Sequence, residues 1–196
     1  MARQPKLSTE SIQLQRGHTR IVVVADTHSR PHPETHQLVR AQKPDAILHG
    51  GDIGDLSVLD EFAAIAPLIT VRGNIDETTS HLPDFVTIHL KEKDAIRSCW
   101  LLTHIAVRGP KLRRPVAEMA RLANAQMVVC GHSHVPLIAQ DRGITIFNPG
   151  SCGPRRFSLP IIFGVIDISK NGLSLKHINC ETGERWSPPD LSAILR

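Results

Sequence analysis

The sequence has no long hydrophobic run and no paired cysteine motif, and each absence excludes a class of protein. No apolar run approaches the roughly 20 residues that a membrane-spanning helix needs. The N-terminal stretch lacks the apolar core of a secretory signal. The four cysteines are widely spaced, so we expect buried thiols rather than disulfides or thiolate metal ligands. Together these absences predict a cytoplasmic location and no membrane partner.

The chain also has little excess positive charge outside residues 1–20. The net charge is +4, but residues 1–20 contain four basic residues and one acidic residue, so the rest is nearly neutral. A nucleic-acid-binding module needs basic residues clustered on one folded surface, and total charge alone does not predict such a partner. The 196 residues and a hydrophobic share of 41% suit one domain of ordinary size.

The chain divides into a polar beginning, a patterned middle and a short end. Residues 1–18 are polar without sustained periodicity, which predicts a flexible or peripheral extension. Residues 19–182 are expected to form one domain, and residues 183–196 a C-terminal tail. Apolar runs that favour β-strands lie at 20–25, 46–49, 68–72, 85–90, 96–103, 127–130, 136–140, 144–147, 161–168 and 173–178. Helical patterns lie at 33–42, 56–65 and 115–124.

The order of these elements indicates the fold class. The first half alternates strands and helices, whereas the second half joins neighbouring strands by hairpin turns such as Asn171-Gly172. We therefore expect an α/β protein in which two mixed β-sheets pack together with helices outside.

Seven polar residues share one feature: each lies at, or within a few residues of, the end of an apolar run. Because ligands bind at the carboxyl ends of strands in open α/β sheets, these side chains are expected to converge on one rim. Glycines precede several of them and allow tight turns and close approach. The seven residues are Asp26, His28, Asp52, Asn74, His104, His132 and His134.

The chemistry of this set favours a metal site. Carboxylate, amide and imidazole ligands without thiolates suit Mn²⁺, Fe or Zn²⁺. Seven ligands exceed what one ordinary site takes from a protein while keeping an open position, so we expect two ions that share a carboxylate. The surplus positive charge of two such ions would bind a phosphate and lower the pKa of a bridging water.

A series of short motifs carries a family resemblance. The motifs are Asp26-Thr27-His28, Gly51-Asp52, Gly73-Asn74-Ile75-Asp76, His104, Gly131-His132-Ser133-His134 and Asn148-Pro149-Gly150-Ser151. In this order they resemble the calcineurin-like metallophosphoesterases, in particular their small, single-domain prokaryotic phosphodiesterase branch. One motif alone is weak, but several in the family's order, from residue 20 to about 156, are specific.

The resemblance implies a four-layer α/β/β/α sandwich that carries a binuclear metal centre. The implied ligands are Asp26, His28 and His134 for the first ion, and Asn74, His104 and His132 for the second, with Asp52 bridging both. Three of these, Asp52, Asn74 and His104, are also the expected catalytic residues. Mn²⁺ is the expected metal, with Zn²⁺, Fe and Ni²⁺ as alternatives. The implied activity is hydrolysis of phosphate esters, of diesters in preference to monoesters, by a metal-bridging hydroxide.

Other residues have a less definite role. Arg155 and Arg156 could clamp a phosphate, and Arg108 is a third candidate for substrate binding. His49 and Asp76 are candidates to support the ligands, and Asp76 is otherwise a turn residue. The Asn148–Ser151 motif is either part of the site or a turn. The basic cluster of Arg108, Lys111, Arg113 and Arg114 is either a solvated face or a contact for a polyanionic substrate.

The residues after His104 depart from the family pattern. Ile105-Ala106 stand where the family usually has Gly-His. Because Ile105 does not readily adopt a positive φ, we expect either that the loop follows a different path or that the turn does not require such an angle. We also expect one phosphate contact to be missing. This departure favours the rival interpretation, a protein-interaction scaffold with little or no activity, as in the retromer subunit that resembles this family. The oligomeric state stays open, and a homo-oligomer is one alternative.

Overall fold

Two six-stranded β-sheets form the centre of the protein. The computed structural model describes residues 4–76, 81–156 and 158–188. The strands are β1 Leu7–Gln13, β2 His18–Val24, β3 Ala46–His49, β4 Leu68–Thr70, β5 Phe85–Glu92, β6 Ala95–Thr103, β7 Val107–Arg108, β8 Lys111–Leu112, β9 Met127–Val129, β10 Leu137–Asp141, β11 Ile144–Asn148, β12 Ile162–Ser169, β13 Gly172–Asn179 and β14 Arg185–Trp186. The helices are α1 Thr35–Ala41, α2 Ser57–Ala63 and α3 Arg114–Leu122.

Both sheets combine parallel and antiparallel strands. The first sheet has the order β1-β5-β6-β9-β11-β10, and the second has the order β14-β13-β12-β2-β3-β4. Strands β2, β3 and β4 are parallel, and so are β6, β9 and β11. The hairpins β5–β6, β10–β11 and β12–β13 are antiparallel. Strands β7 and β8 form a separate small hairpin.

Alternation along the strands separates the apolar side chains into three cores. On β2, Ile21 and Val23 belong to the core between the two sheets. Val22 and Val24 belong to the core on the other side of the same strand. On β9, Val128 likewise points away from the core between the sheets. Because successive side chains of a strand face opposite sides, a strand that is apolar at every position must be covered on both faces.

Helices provide the outer covers. Val39 of α1 and Phe62 of α2 pack against the second sheet. Val116 and Ala120 of α3 pack against the first sheet. Each core therefore lies between two adjacent layers, and the predicted four-layer α/β/β/α sandwich is confirmed.

The N-terminal segment contains a strand that the sequence does not predict. Leu7–Gln13 forms β1, which pairs in parallel with β5 at the edge of the first sheet. Residues 7–13 therefore belong to the first sheet and have regular backbone pairing. Most of their side chains are exposed, and Ile12 is the buried one. Backbone hydrogen bonds hold such an edge strand, so it needs no apolar alternation and leaves a weak sequence signal.

Several boundaries differ in smaller ways. The third helix begins at Arg114 and ends at Leu122, slightly earlier than predicted, and Pro115 lies in its first turn. Strand β14 pairs with β13, so the predicted tail begins within the second sheet, and residues 189–196 of that tail lie outside the described residues. None of the described helices is long and apolar enough to cross a membrane.

Candidate metal centre

Loops that follow five parallel strands bring the seven predicted ligands together. Strands β2, β3 and β4 of the second sheet and β6 and β9 of the first end at one edge, and the ligands lie just beyond those ends. Two groups of donors result, and the donor atoms of each group all lie within 4.8 Å of one another. The groups are Asp26, His28 and His134, and Asp52, His104 and His132.

The first group fits a single ion. Nε2 of His28 lies 3.3 Å from Nε2 of His134, which lies 3.4 Å from Oδ1 of Asp26. Donors that bind one ion at about 2.1 Å lie about 3.0–3.5 Å from one another. The three donors therefore already have the spacing that a shared ion requires.

Asn74 joins the second group. Its Oδ1 lies 3.1 Å from Nε2 of His104 and 3.0 Å from Nδ1 of His132. Oδ1 of Asp52 lies 3.1 Å from the same Nε2 of His104. The other oxygen of Asp52, Oδ2, lies 3.8 Å from Nε2 of His28 in the first group. The two oxygens of Asp52 therefore face different groups, which is the arrangement that a bridging carboxylate needs.

Five of the predicted ligands have a positive φ angle, which residues other than glycine rarely adopt. The angles are 55° at Asp26, 46° at His28, 54° at Asp52, 70° at His132 and 57° at His134. Each such residue costs on the order of 1–3 kcal/mol, and strain of this kind clusters at functional sites. Backbone hydrogen bonds offset the cost, because the N–H of Asp26 donates to Gly51 at 2.9 Å and that of His28 donates to Asp52 at 3.0 Å.

Glycines allow the loops to approach one another. A β-carbon on Gly73 would lie 2.1 Å from both the backbone nitrogen and Oδ1 of Asp52. A β-carbon on Gly51, where φ is 89°, would lie 2.8 Å from Nδ1 of His104. The predicted need for glycine beside the ligands is confirmed at these two positions.

Burial controls the charge of the first group. Asp26 is fully buried, and burial raises its pKa to about 7, against the opposing charge of His104. Burial, with a further contribution from Arg156, lowers the pKa of His134 to about 4. The buried Nδ1 of His134 has no hydrogen-bond partner among the described residues. A buried carboxylate beside neutral imidazoles is a donor set that a cation would stabilise, so these residues fit a divalent metal.

Asp52 and His104 behave as an ion pair. Burial opposes the ionisation of Asp52, but its hydrogen bond to His104 and the charge of His104 outweigh burial and lower its pKa to about 2. Burial likewise opposes the protonation of His104, but Asp52 and Asp26 outweigh it and raise that pKa. Nδ1 of His104 lies 2.7 Å from the carbonyl oxygen of Gly50 and donates to it, so Nε2 is the atom that faces the site. A cation would replace the proton on Nε2.

Comparison with known proteins identifies the family. The model of the calcineurin-like phosphoesterase superfamily domain matches residues 19–171. The chain belongs to this superfamily. A probable metallophosphoesterase of Methanocaldococcus jannaschii is 26% identical over 136 residues, which cover 67% of this chain and 67% of that protein. The family implies divalent metal ions, and the donor set described above fits them.

Solved structures with the same fold include both an enzyme and a sorting protein. Wild-type Vps29 from Entamoeba histolytica, complexed with Zn²⁺, has a TM-score of 0.67 and 19% identity, and the match covers 86% of this chain and 96% of that chain. An archaeal phosphodiesterase has a TM-score of 0.62 and 20% identity, with coverage of 82% and 100%. At these identities the likeness shows the fold alone.

His49 lies beneath the ligand loops of this superfamily member and is fully buried. Its Nδ1 accepts a hydrogen bond from the backbone N–H of Gly51 at 3.1 Å, so its proton lies on Nε2. Nε2 donates to Oγ1 of Thr27 at 3.1 Å, and Thr27 in turn donates to the carbonyl of Ile53 at 3.1 Å. Burial lowers the pKa of His49 to about 3 and keeps the ring neutral. This chain of bonds ties the loop after β2 to the loop after β3.

Asp76 ties the loop after β3 to the loop after β4. Its carboxylate accepts hydrogen bonds from the backbone N–H groups of Ile53 at 3.1 Å and of Gly54 at 3.0 Å. It also accepts one from Gly73 at 2.7 Å. The carboxylate thus supports the backbone of the loops that carry Asp52 and Asn74.

The Asn148–Ser151 segment supports two further ligand loops. Nδ2 of Asn148 donates to the carbonyl of Gly131 at 2.7 Å. Oγ of Ser151 donates to the carbonyl of Asp26 at 3.0 Å. Both residues are buried. The side chains of this segment therefore support the backbone of the loops that carry Asp26 and His132. The motif alone could not distinguish this supporting role from contact with a substrate.

The three arginines proposed from the sequence lie in different surroundings. Nη2 of Arg156 lies 3.2 Å from Nε2 of His28. Arg155 instead donates to the carbonyl of Leu159 at 2.8 Å and pairs with Glu181. Arg108 is exposed on the β7–β8 hairpin. Within the described part of the chain, Arg156 is the one of the three that contacts a predicted ligand.

The departure at Ile105-Ala106 has a packing explanation. Ala106 is 1% exposed and belongs to the core beneath α3, with Leu101 and Val116. Ile105 does not have a positive φ, so the turn after His104 does not require one at this position. A histidine at position 106 would point into the core beneath α3 rather than towards the ligands.

The sequence did not indicate that Arg113 lies near a predicted ligand. Burial and the charge of His104 are the larger causes of the lowered pKa of His132, and the charge of Arg113 lowers it further.

Proposed function

We propose that the protein hydrolyses phosphate diesters with two divalent metal ions, of which Mn²⁺ is the first candidate and Zn²⁺, Fe and Ni²⁺ are alternatives. The observation that carries the proposal is the orientation of Asp52, whose two oxygens face different donor groups. The first group would hold one ion. The second group, with Asn74, would hold the other, and Asp52 would bridge them.

The protein supplies the position and charge of the reacting groups. When bound, two divalent ions would lower the pKa of a metal-bound water and stabilise negative charge on the phosphoryl oxygens. Arg156, next to His28, is placed to bind a phosphoryl oxygen with its guanidinium group. His104 and Asn74, whose Nε2 and Oδ1 lie 3.1 Å apart, would hold the second ion, and Asp76 supports the backbone of the Asn74 loop through its bond to Gly73. The likeness to an archaeal phosphodiesterase supports the choice of a diester.

The test is hydrolysis of bis(p-nitrophenyl) phosphate with and without Mn²⁺. We expect close to two ions per chain by elemental analysis, activity that is lost in chelator, and recovery when Mn²⁺ is added. Asp52→Asn should lower turnover by about 100-fold or more, in the range seen when a group that stabilises the transition state is removed. Asp94→Asn, in an exposed turn, is the matched control and should have no effect. Full activity with one ion per chain, or an active Asp52→Asn protein, would contradict the two-metal mechanism.

A second candidate is a protein-interaction scaffold on the same fold. The likeness to Vps29, at a TM-score of 0.67, favours it. The two candidates differ in a measurable way: a scaffold that binds metal would load ions fully and still hydrolyse neither phosphomonoesters nor diesters. A screen of both ester classes on the fully loaded protein therefore distinguishes them.

A further inference from the structure

The connection between β4 and β5 carries Asn74, a predicted ligand of the second donor group, and its two ends are bonded to each other. The backbone N–H of Arg72 donates to the carbonyl of Pro83 at 3.0 Å, and Nε of Arg72 donates to Oδ1 of Asp84 at 2.7 Å. The side chains of Arg72 and Asp84 are only 16% and 19% exposed, so solvent screens this ion pair less than a surface pair. Because Arg72 lies two residues before Asn74, the pair fixes the backbone from which Asn74 projects.

Residues 4–13, which we call the N-terminal segment, hold the far end of this connection. They precede residue 19, where the match to the superfamily domain begins. The backbone N–H of Lys6 donates to Oδ2 of Asp84 at 2.6 Å, and Nζ of Lys6 donates to the carbonyl of His81. The carbonyl of Lys6 accepts hydrogen bonds from the backbone N–H groups of Asp84 at 2.8 Å and of Phe85 at 3.2 Å. Lys6 therefore binds the connection through its backbone and through its side chain.

Asp84 also contacts the strand end that carries the neighbouring ligand, His104. The hydroxyl of Thr103 donates to the carbonyl of Asp84 at 3.0 Å, and Thr103 immediately precedes His104. Oδ1 of Asn74 and Nε2 of His104 lie 3.1 Å apart, so Asp84 is bonded close to both of these ligands. The loop that carries Asp26 of the first donor group is bonded instead to the loop after β3. The contacts of the N-terminal segment therefore favour one donor group over the other.

We propose that the N-terminal segment sets the metal affinity of the second donor group, with Lys6 and Asp84 as positioning residues. The inference rests on the proposed function, because it concerns the second of the two proposed ions. Neither residue is a predicted ligand, and both act through the backbone that presents Asn74 and His104. Supporting hydrogen bonds of this kind typically change metal affinity by about 10–100-fold. Detachment of the segment from β5 would therefore weaken the second ion and leave the first in place.

The first experiment removes one backbone donor from the full chain. Lys6→Pro deletes the N–H group that bonds to Asp84. In a calorimetric titration with Mn²⁺, it should weaken one of the two binding steps by about tenfold or more and leave the other unchanged.

Thr9→Pro is the matched control in the same segment. Alternate residues of a strand bond to the same neighbour, and Lys6 and Leu14 both bond to β5. The N–H group of Thr9 therefore faces the open edge of the sheet, where proline is tolerated. Thr9→Pro should bind both ions like the original protein, and equal weakening by the two proline variants would overturn the proposal.

A second measurement identifies the affected position and covers the case in which Lys6→Pro does not fold. Asp84→Asn keeps the shape of the side chain, removes its charge and should weaken the same binding step. In Asn74→Ala protein, where the second position already lacks a ligand, neither change should weaken the remaining Mn²⁺ affinity further. Additive losses, weakening of both steps, or a lower melting temperature at unchanged Mn²⁺ affinity would each overturn the proposal.

The same titrations separate this proposal from the proposed function. Two ions whose affinities are unchanged in both Lys6→Pro and Asp84→Asn would overturn the role of the N-terminal segment alone. A single ion per chain in the original protein would overturn the two-metal mechanism as well.

Discussion

The two ends of the β-sandwich use glycine for different reasons. At the ligand end, a β-carbon on Gly73 or Gly51 would lie within 3 Å of backbone or ligand atoms. At the opposite end, Gly143 and Gly172 lie in hairpin turns with φ angles of 80° and 112°, and a β-carbon there would meet no described atom within 4 Å. The turns therefore need glycine for its backbone angle. Gly51 needs both that angle and the space, whereas Gly73 needs the space alone.

The two ends also compensate carboxylate charge differently, at the half-buried Asp167 and the fully buried Asp26. At the opposite end, Asp167 receives a hydrogen bond from Nε of Arg20 at 2.6 Å and lies 3.1 Å from Nζ of Lys176. At the ligand end, Asp26 forms no ion pair with a lysine or arginine among the described residues; the neutral imidazole of His134 lies 3.4 Å away, and burial raises the pKa of Asp26 to about 7. Basic side chains of the protein itself compensate the charge of Asp167, whereas a bound cation would compensate the charge of Asp26.

The largest expected effect separates the two kinds of glycine. Gly73→Ala should abolish metal loading and activity, because the new β-carbon would lie 2.1 Å from Asp52. Gly143→Ala is the control, and strain at its positive φ should cost only about 1 kcal/mol. Elemental analysis, turnover and thermal unfolding measure both variants. Normal ion content in Gly73→Ala would show that the loop can relax, and the proposed difference between the ends would be wrong.

A smaller effect is expected from the hydrogen bonds beneath the ligand loops. His49→Leu removes the hydrogen bond to Thr27 in the first loop and the one from the backbone N–H of Gly51 in the second. The loss of such supporting bonds typically weakens metal affinity by about 10–100-fold. His18→Leu is the control at the opposite end, where His18 pairs with Asp167. Calorimetric titration with Mn²⁺ compares the two proteins. If His49→Leu lowered only the thermal stability and kept the Mn²⁺ affinity, the histidine would support the fold but not the metal.

Two neighbouring arginines allow a sharper comparison at the ligand end. Arg156→Gln should lower kcat/KM for a diester by about tenfold, because it removes a charged hydrogen bond to the phosphoryl group. Arg155→Gln should leave kcat/KM nearly unchanged and lower thermal stability slightly, since Arg155 pairs with Glu181. Steady-state kinetics of both variants measure the difference. Equal losses of kcat/KM would mean that the loop as a whole, rather than Arg156, binds the substrate.

The smallest effect concerns pH at the opposite end. Burial alone would raise the pKa of Asp167, but hydrogen bonds from Arg20 and Lys176 outweigh burial and lower it. Its folded pKa therefore lies below the unfolded value of about 3.9, and its contribution to stability is present above that pH. We expect Asp167→Asn to melt below the original protein at pH 7, and this difference to shrink as the pH falls below about 4. A difference that stays constant to pH 3 would contradict the ion-pair explanation.

The candidate ligands could be proposed from the sequence because each motif combines a chemical type with a strand end. Asp26 follows a buried apolar run, and His132 follows another, so the strand pattern itself indicates their shared edge. Strand β1 could not be predicted in this way, because it is held by backbone bonds to β5 and leaves most of its side chains exposed. The short β7–β8 hairpin left no recognisable pattern either, since each of its strands has two residues.

The sequence by itself determined which donor side chains follow the strands and the layered fold that presents them. Donor types and apolar periodicity are local properties, so both can be read along the chain. Only the tertiary structure decided that Arg156 contacts His28 while Arg155 pairs with Glu181. It alone also placed Ala106 in the core and Ile105 at a cavity. Such differences depend on which distant segments pack against each residue. The local sequence of a loop does not indicate which of two adjacent residues will contact a given distant segment.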